Sequence, residues 1–254
     1  MRTALPCSLL GVVTLLAMSP SASAEDRQLS IGAGAAYGPV FEGSAQSQVD
    51  PIPIVNARWG RFFINDLGVG ADILSEWGAR ELTLGLAVFA GEGRDESDDS
   101  RIRGLGDVDT AIEAKIFATM EVGPFDLEAV VAKDFGSGHE GTYIDLSLST
   151  EWQVSRRLNV EVGPELRFAD ARYTRAFYGV SAGQAARSGL PAFTASSGFV
   201  SGSLSAGLGY AMTDRWSLFA TGEAGLLFGD ARRSPVSTKN RFGSIGAGLV
   251  YRFY

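Results

Sequence analysis

The sequence predicts an all-β fold, a single antiparallel barrel that crosses a membrane with its strands, on three observations. Apolar and polar residues alternate with period two over long segments. Those segments run about 11–16 residues, past the roughly 5–6 of an ordinary strand and enough for the roughly 9–11 of a tilted spanning one. Connections alternate between short and long, as in barrels with short turns on one side and long loops on the other. A secreted β-sandwich shares part of this signature, but not the strand length.

The first 24 residues read as a cleaved secretion signal, and residues 25–254 as the barrel. Arg2 gives a positive start, Leu9–Met18 an apolar core, and Ala22-Ser23-Ala24 a small-residue cleavage site before Glu25. The apolar run is too short to span a bilayer as a helix, which takes roughly 20 residues. The one cysteine, Cys7, falls in this leader, so disulfides and cysteine metal sites are excluded from the rest. Without Arg2, 21 basic residues face 29 acidic ones, a net charge of −8. That balance argues against nucleic acid and permits attraction of cations.

The alternation is plainest from Asp107 to Val122. Val108, Thr110, Ile112, Ala114, Ile116, Ala118, Met120 and Val122 share one face; Glu113, Lys115 and Glu121 share the other. A strand puts those charges on one side, whereas a helix scatters them. The pattern returns from Phe125 to Val131, Tyr143 to Trp152, Leu158 to Phe168, Trp216 to Phe228 and Ile245 to Phe253. Trp59, Phe62, Phe63, Phe125, Trp152 and Trp216 lie beside short turns, where an aromatic girdle belongs.

Topology is counted back from the last strand, near Arg241 to Tyr254, which should end in the periplasm. The short turns are then Met212–Arg215, Ser155–Arg157, Gly123–Pro124 and Ser75–Ala79. The external connections are Ala231–Lys239, Tyr173–Ser196, Phe135–Glu140, Gly91–Gly104 and Ala36–Asp50, with a helical turn expected around Ser181–Arg187. An even count requires Phe62–Ile64 and Leu67–Leu74 to be separate strands around Asn65-Asp66. The result is 12 strands, with 10 as the alternative.

The charges expected to face the lumen are Glu113, Lys115, Glu121, Glu128, Asp145, Glu151, Glu161, Glu165, Arg167, Glu223 and Arg252. Their acidic excess favours cations if the lumen is wet. The competing reading is structural, with charges paired into networks that fill a modest barrel. About 8 strands are filled by side chains and 16–18 leave a channel, so 12 fits either, and the reading leans to a plugged or very narrow lumen.

No catalytic constellation emerges. His139, the only histidine, lies in Gly136-Ser137-Gly138-His139-Glu140-Gly141. Sequence neighbours in a loop do not make a triad, so it reads as a plain loop histidine. The run Asp95, Glu96, Asp98, Asp99 lacks calcium-loop spacing and reads as a solvated loop. Gly104-Leu105-Gly106-Asp107 resembles a phosphate loop but enters a strand, so nucleotide binding is set aside. No metal and no cofactor is expected.

Ordered stretches along the chain resemble the MipA/OmpV family of outer-membrane proteins. They are Tyr37-Gly-Pro-Val-Phe-Glu-Gly-Ser44 with Pro51-Ile-Pro53, Gly104-Leu-Gly-Asp-Val-Asp109, Gly136-Ser-Gly-His-Glu-Gly141, Phe177-Tyr-Gly-Val180, Ser188-Gly-Leu-Pro-Ala-Phe193 and Tyr251-Arg-Phe253. The aromatic ending fits at Tyr251 and Phe253, and Tyr254 is one residue beyond it. The resemblance implies a barrel in the outer membrane of a Gram-negative bacterium, in contact with its lipid and lipopolysaccharide. The best-known member is a scaffold between a lytic transglycosylase and a bifunctional murein synthase; others are linked to osmotic adaptation, antibiotic response or adhesion. The function expected is therefore a non-catalytic scaffold, with murein-synthesising and murein-cleaving enzymes as partners. The alternative is a narrow cation-preferring channel, and behind that a barrel hydrolase using His139.

Overall fold

The computed structural model describes residues 27–65, 68–74 and 82–254. The expected leader and the Ser75–Ala79 turn lie outside these residues, as does Asp66 of the Asn65-Asp66 turn.

Twelve antiparallel strands close into a barrel, each beside its chain neighbour, with the last paired to the first. They are β1 (Arg27–Pro39), β2 (Ser47–Trp59), β3 (Phe62–Asn65), β4 (Gly68–Leu74), β5 (Leu82–Ala90) and β6 (Ile112–Val122), then β7 (Phe125–Asp134), β8 (Thr142–Ser155), β9 (Leu158–Ala169), β10 (Gly198–Ala211), β11 (Trp216–Leu227) and β12 (Arg241–Arg252). Closure pairs Ala35 with Ala247 in register. Tyr254 does not disturb it: Phe253 donates to the Leu29 carbonyl, and the Leu29 N–H donates to the Tyr254 carbonyl. The rings of Trp216, Tyr251 and Phe253 stack edge to face at 4.9 and 4.8 Å beside that seam.

Strand faces follow from the period-two pattern. Ile112, Ile116, Val131, Ile144, Leu146, Leu166, Phe168, Leu204 and Ile245 are all exposed, as lipid-facing residues must be. Tight turns at Gly60-Arg61 and Gly123-Pro124 share one end, where Gly60 (φ 56°) and Gly123 (φ 64°) adopt the left-handed backbone such hairpins need. The long connections gather at the other end, which outer-membrane barrels turn outwards.

Inside, five phenylalanines lie flat over glycines that are their direct cross-strand partners. The pairs are Phe63 with Gly70, Phe89 with Gly68, Phe117 with Gly85, Phe219 with Gly248, and Phe242 with Gly225. A Cβ on any of these glycines would sit 2.1–2.4 Å from the ring. The glycine removes a side chain so that the ring can occupy its place, and the interior stays dense without a second large residue. Phe63 is thus an inward residue, 7 % exposed, not a girdle residue. Successive strand residues face opposite sides, so Phe62 and Phe63 cannot both meet lipid.

Several boundaries differ from the sequence reading. Strand β6 starts at Ile112, not Asp107, because Arg94 and Val108 pair within the preceding loop and hold Asp107–Ala111 out of the wall. The first external loop shrinks to residues 40–46, since β1 and β2 pair up to Pro39 and Ser47. The loop after β9 carries α1 (Ala171–Tyr178) and α2 (Ala182–Ser188), and the one after β11 carries the short α3 (Gly229–Arg233). Asp170 caps α1 by accepting from the Arg172 and Tyr173 N–H groups. Ser181 and Gln184 form a capping box on α2, and Gly189 in the left-handed region ends it.

Candidate functional site

The external loops fold across the mouth instead of standing away from it. Tyr173, Phe177 and Tyr178 of α1 pack with Tyr143, Val200, Leu227, Ala231 and Phe242 in one buried cluster. Val40 and Phe41 join Ile102, Leu105, Val180 and Val236 in another. Polar bonds tie loop to loop. Gln184 donates to the Leu105 carbonyl at 2.6 Å, Ser234 to the Tyr178 carbonyl at 2.6 Å, and Thr238 to the Gly43 carbonyl at 3.0 Å.

The acidic run borders this cap, and its last member, Asp99, is not the solvated residue that its composition suggested. Asp99 is 1 % exposed and accepts from Ser44 at 2.7 Å and Gln46 at 3.3 Å. The Glu96 carboxylate accepts from the Gly104 and Gly106 N–H groups at 2.8 and 2.7 Å, and these bonds hold it below the usual carboxylate range. The glycine-rich stretch therefore does bind an anion, and the anion is the chain's own glutamate.

His139 is likewise no plain loop residue. Its side chain is buried, and the Gly141 N–H donates to Nδ1 at 3.0 Å. That bond leaves the proton on Nε2, 3.2 Å from Glu113 Oε1. Tyr143 donates to Glu113 Oε2 at 2.8 Å, and Lys115 Nζ stands 3.3 Å from the same oxygen. The imidazole also packs against the Tyr173 ring at 4.9 Å. The group latches the loop after β7 to β6, β8 and α1. Ser137 and Glu140 are exposed and outside it, so neither neighbour in the loop joins the buried imidazole.

Arg167 is a second hub. It makes a two-pronged pair with Asp145, Nε to Oδ1 at 2.8 Å and Nη2 to Oδ2 at 2.9 Å. Its Nη1 donates to Glu92 at 3.1 Å and to the Tyr173 hydroxyl at 3.2 Å. Two further buried ionisable groups sit in the loops. Burial pushes the Glu42 carboxyl up to about 8, with the Arg167 guanidinium pulling it down. Burial also draws Arg94 down to about 10; its Nη1 donates to the Phe177 carbonyl and its Nε has no partner among the described residues.

The eleven charges read from the sequence separate into three groups. Glu113, Lys115, Asp145 and Arg167 are brought together beneath the cap. Glu128, Glu161, Glu165 and Glu223 line the wall nearer the short turns. There Glu161 Oε2, Asn159 Oδ1, Thr221 Oγ1 and Ser244 Oγ are buried without a hydrogen-bond partner among the described residues. Glu121, Glu151 and Arg252 are exposed at the short-turn end, where Arg252 donates to the Asp214 carbonyl at 2.7 Å. Glu92, Glu42 and Arg94 were not among the charges expected to face the lumen, and Asp99 was read as part of a solvated loop. Glu92 and Arg94 flank Gly93 between a strand and a long loop, and only tertiary folding turns them inwards.

With the closed barrel and its mouth described, comparison with known proteins is direct. The family described as MltA-interacting protein MipA matches residues 31–253. The chain belongs to the MipA family. YiaT of Escherichia coli (strain K12), named as an outer membrane protein, is 25 % identical over 243 residues, covering 95 % of this chain and 98 % of that one. The MltA-interacting protein of the same strain is 23 % identical over 248 residues, covering 96 % and 98 %. Among solved structures, an anion-selective porin from Comamonas acidovorans aligns with a TM-score of 0.43 at 7 % identity, over 89 % of this chain and 98 % of the other. This MipA-family chain is an outer-membrane β-barrel.

Proposed function

We propose that the protein is a non-catalytic barrel that serves the envelope as a docking body for murein-processing enzymes. The observation that carries this reading is the closed mouth. Charges that might have served transport or chemistry are spent in the latch at Glu113–His139 and the hub at Arg167. The His139 side chain is buried against Glu113, and Ser137 of the same loop is exposed and apart from it, which supports a structural role over hydrolysis. The relative named MltA-interacting protein supports a murein enzyme as partner. Residues 1–24 serve in this reading as the leader, so the mature chain starts at Glu25; mass spectrometry of the purified protein checks that point. The partner is tested by affinity capture from crosslinked envelopes. A lytic transglycosylase and a murein synthase are the expected catch, and repeated recovery of neither overturns the proposal.

A second reading, a narrow cation-preferring pathway, is favoured by the carboxylates Glu128, Glu161, Glu165 and Glu223 below the cap. It requires the cap to open. Planar-bilayer current that falls with Glu161→Gln and Glu165→Gln supports it, and a silent bilayer rules it out.

A further inference from the structure

Strand β2 pairs with β1 along its whole length, Ser47–Trp59, but with β3 only at Asn56–Trp59. The β3–β4 hairpin stops at Asn65 and Gly68, level with Asn56. Residues Ser47–Val55 therefore form an open strand edge in the external half of the wall, while the other stretch that outruns its neighbour, Thr150–Ser155 of β8 past β7, lies at the short-turn end. Among the described residues, no backbone or side-chain hydrogen bond reaches that edge.

The register shows which groups face the opening. The Leu29 N–H and carbonyl both bond the last strand, so odd residues of β1 point to β12 and even residues to β2. Even residues of β1 oppose even residues of β2, as in Ala36 with Asp50. The bond from the Val40 N–H to the Gln46 carbonyl continues that series. Odd residues of β2 then turn their backbone groups to the opening: Val49, Pro51, Pro53 and Val55. Two successive positions are proline and carry no N–H, so the middle of the edge offers carbonyls alone.

An added strand from a second copy or a partner needs alternating donors and acceptors, and two prolines deny them. The membrane is the remaining neighbour. Val49 lies ten residues from Trp59 of the aromatic girdle, about 25 Å along the membrane normal for a rise of about 3.3 Å per residue and a tilt of about 40°. The opening thus spans the outer half of the apolar band. Its outward side chains are apolar, with Val49 68 % exposed, and they continue the lipid-facing belt. Behind them Ile52 and Ile54 pack on Phe219 and Val250, and the one acidic residue of the stretch, Asp50, stands above them near Asp98 of the cap. Bare carbonyls at that depth are costly unless a donor meets them.

We propose that this notch seats an outer-leaflet lipid that carries hydroxyl or amide N–H donors at the roots of its acyl chains. The donors meet the Pro51 and Pro53 carbonyls, and the hydrocarbon lies along Val49 to Val55. Residues 25–254 contain no cysteine, so single spin labels can be placed cleanly. Labels at Val55→Cys in the notch and Leu204→Cys on the fully paired β10 are compared in phosphatidylcholine vesicles with and without lipid A, whose chains bear hydroxyls and amides. Lipid A is expected to slow the Val55 label severalfold and leave the Leu204 label unchanged. No slowing at Val55, or equal slowing at both sites, overturns the proposal. Adding Pro51→Ala and Pro53→Ala restores two donors to the edge and is expected to weaken the effect; its full persistence excludes recognition through the carbonyls.

Discussion

The wall of β1–β5 and the wall of β6–β12 enclose one interior and fill it in different ways. The first fills its middle with apolar groups: Ile52, Ile54, Phe63 and Phe89 point inwards and glycines give the rings room, with charge confined to Asp50 near the mouth and the Arg58–Asp72 pair near the short turns. The second carries Glu113, Lys115, Asp145, Glu165, Arg167 and Glu223, and it is to this side that α1 and the loop after β7 are fastened. Rings on glycines yield dense packing that depends on shape, and they serve both walls, since Phe117, Phe219 and Phe242 lie on β6, β11 and β12. Paired charges yield a wall that holds other segments by direction, because each bond specifies where a loop must lie. The first wall leaves an edge open in its outer half, whereas the second leaves one, Thr150–Ser155 of β8, at the short-turn end.

This contrast orders the expected effects of substitution. The largest belongs to the ring-on-glycine packing, at Phe219, which sits on β11 and packs across on Ile54 of the first wall. Phe219→Ala empties the space over Gly34 and Gly248 beside Ile54 and is expected to cost about 3–5 kcal/mol, read from denaturant unfolding in detergent. A loss below about 1 kcal/mol would mean that the ring is not a core element. Next comes the charged wall. Arg167→Met leaves Asp145 and Glu92 without their guanidinium and is expected to cost about 2–4 kcal/mol, the upper part of the range for breaking a buried pair being trimmed because the side chain is 11 % exposed. The same variant should expose α1 to protease, which Phe219→Ala should not. Smaller is Gly85→Val, where the new Cβ meets the Phe117 ring; overpacking of about 1–3 kcal/mol is expected, and Gly85→Val with Phe117→Leu should recover part of it.

The last expected effect is a pH dependence. Burial holds Glu42 neutral up to about pH 8, against an ordinary value of 4.5. The folded state therefore binds the proton more tightly than the unfolded chain does. The stability this gives is full below about pH 4.5 and is lost as pH rises through about 8. Glu42→Gln should flatten that slope in melting temperatures measured between these limits. An unchanged slope would place its origin elsewhere.

Much of the wall was legible in the sequence because a strand writes its two faces locally. Ile112 to Val122 and Leu158 to Phe168 declare inside and outside by parity, and the turns at Gly123-Pro124 and Met212–Arg215 interrupt them. The cap was not legible, because its logic is tertiary. Asp95–Asp99 has the composition of a solvated loop, yet Asp99 is buried by Ser44 and Gln46, which lie over fifty residues away in sequence. His139 looked unattached because its partner, Glu113, belongs to another strand. Two signals were nevertheless available: Asp170 ahead of Ala171–Tyr178 is a capping residue, and adjacent Phe62 and Phe63 must face opposite sides.

The central claim is that folded loops close the barrel, and ion conductance tests it most directly. Purified protein in planar bilayers is predicted to be silent, while a variant lacking residues 171–188 is predicted to pass current with a preference for cations. Sustained cation current through the unaltered protein, unchanged by that deletion, would contradict the account.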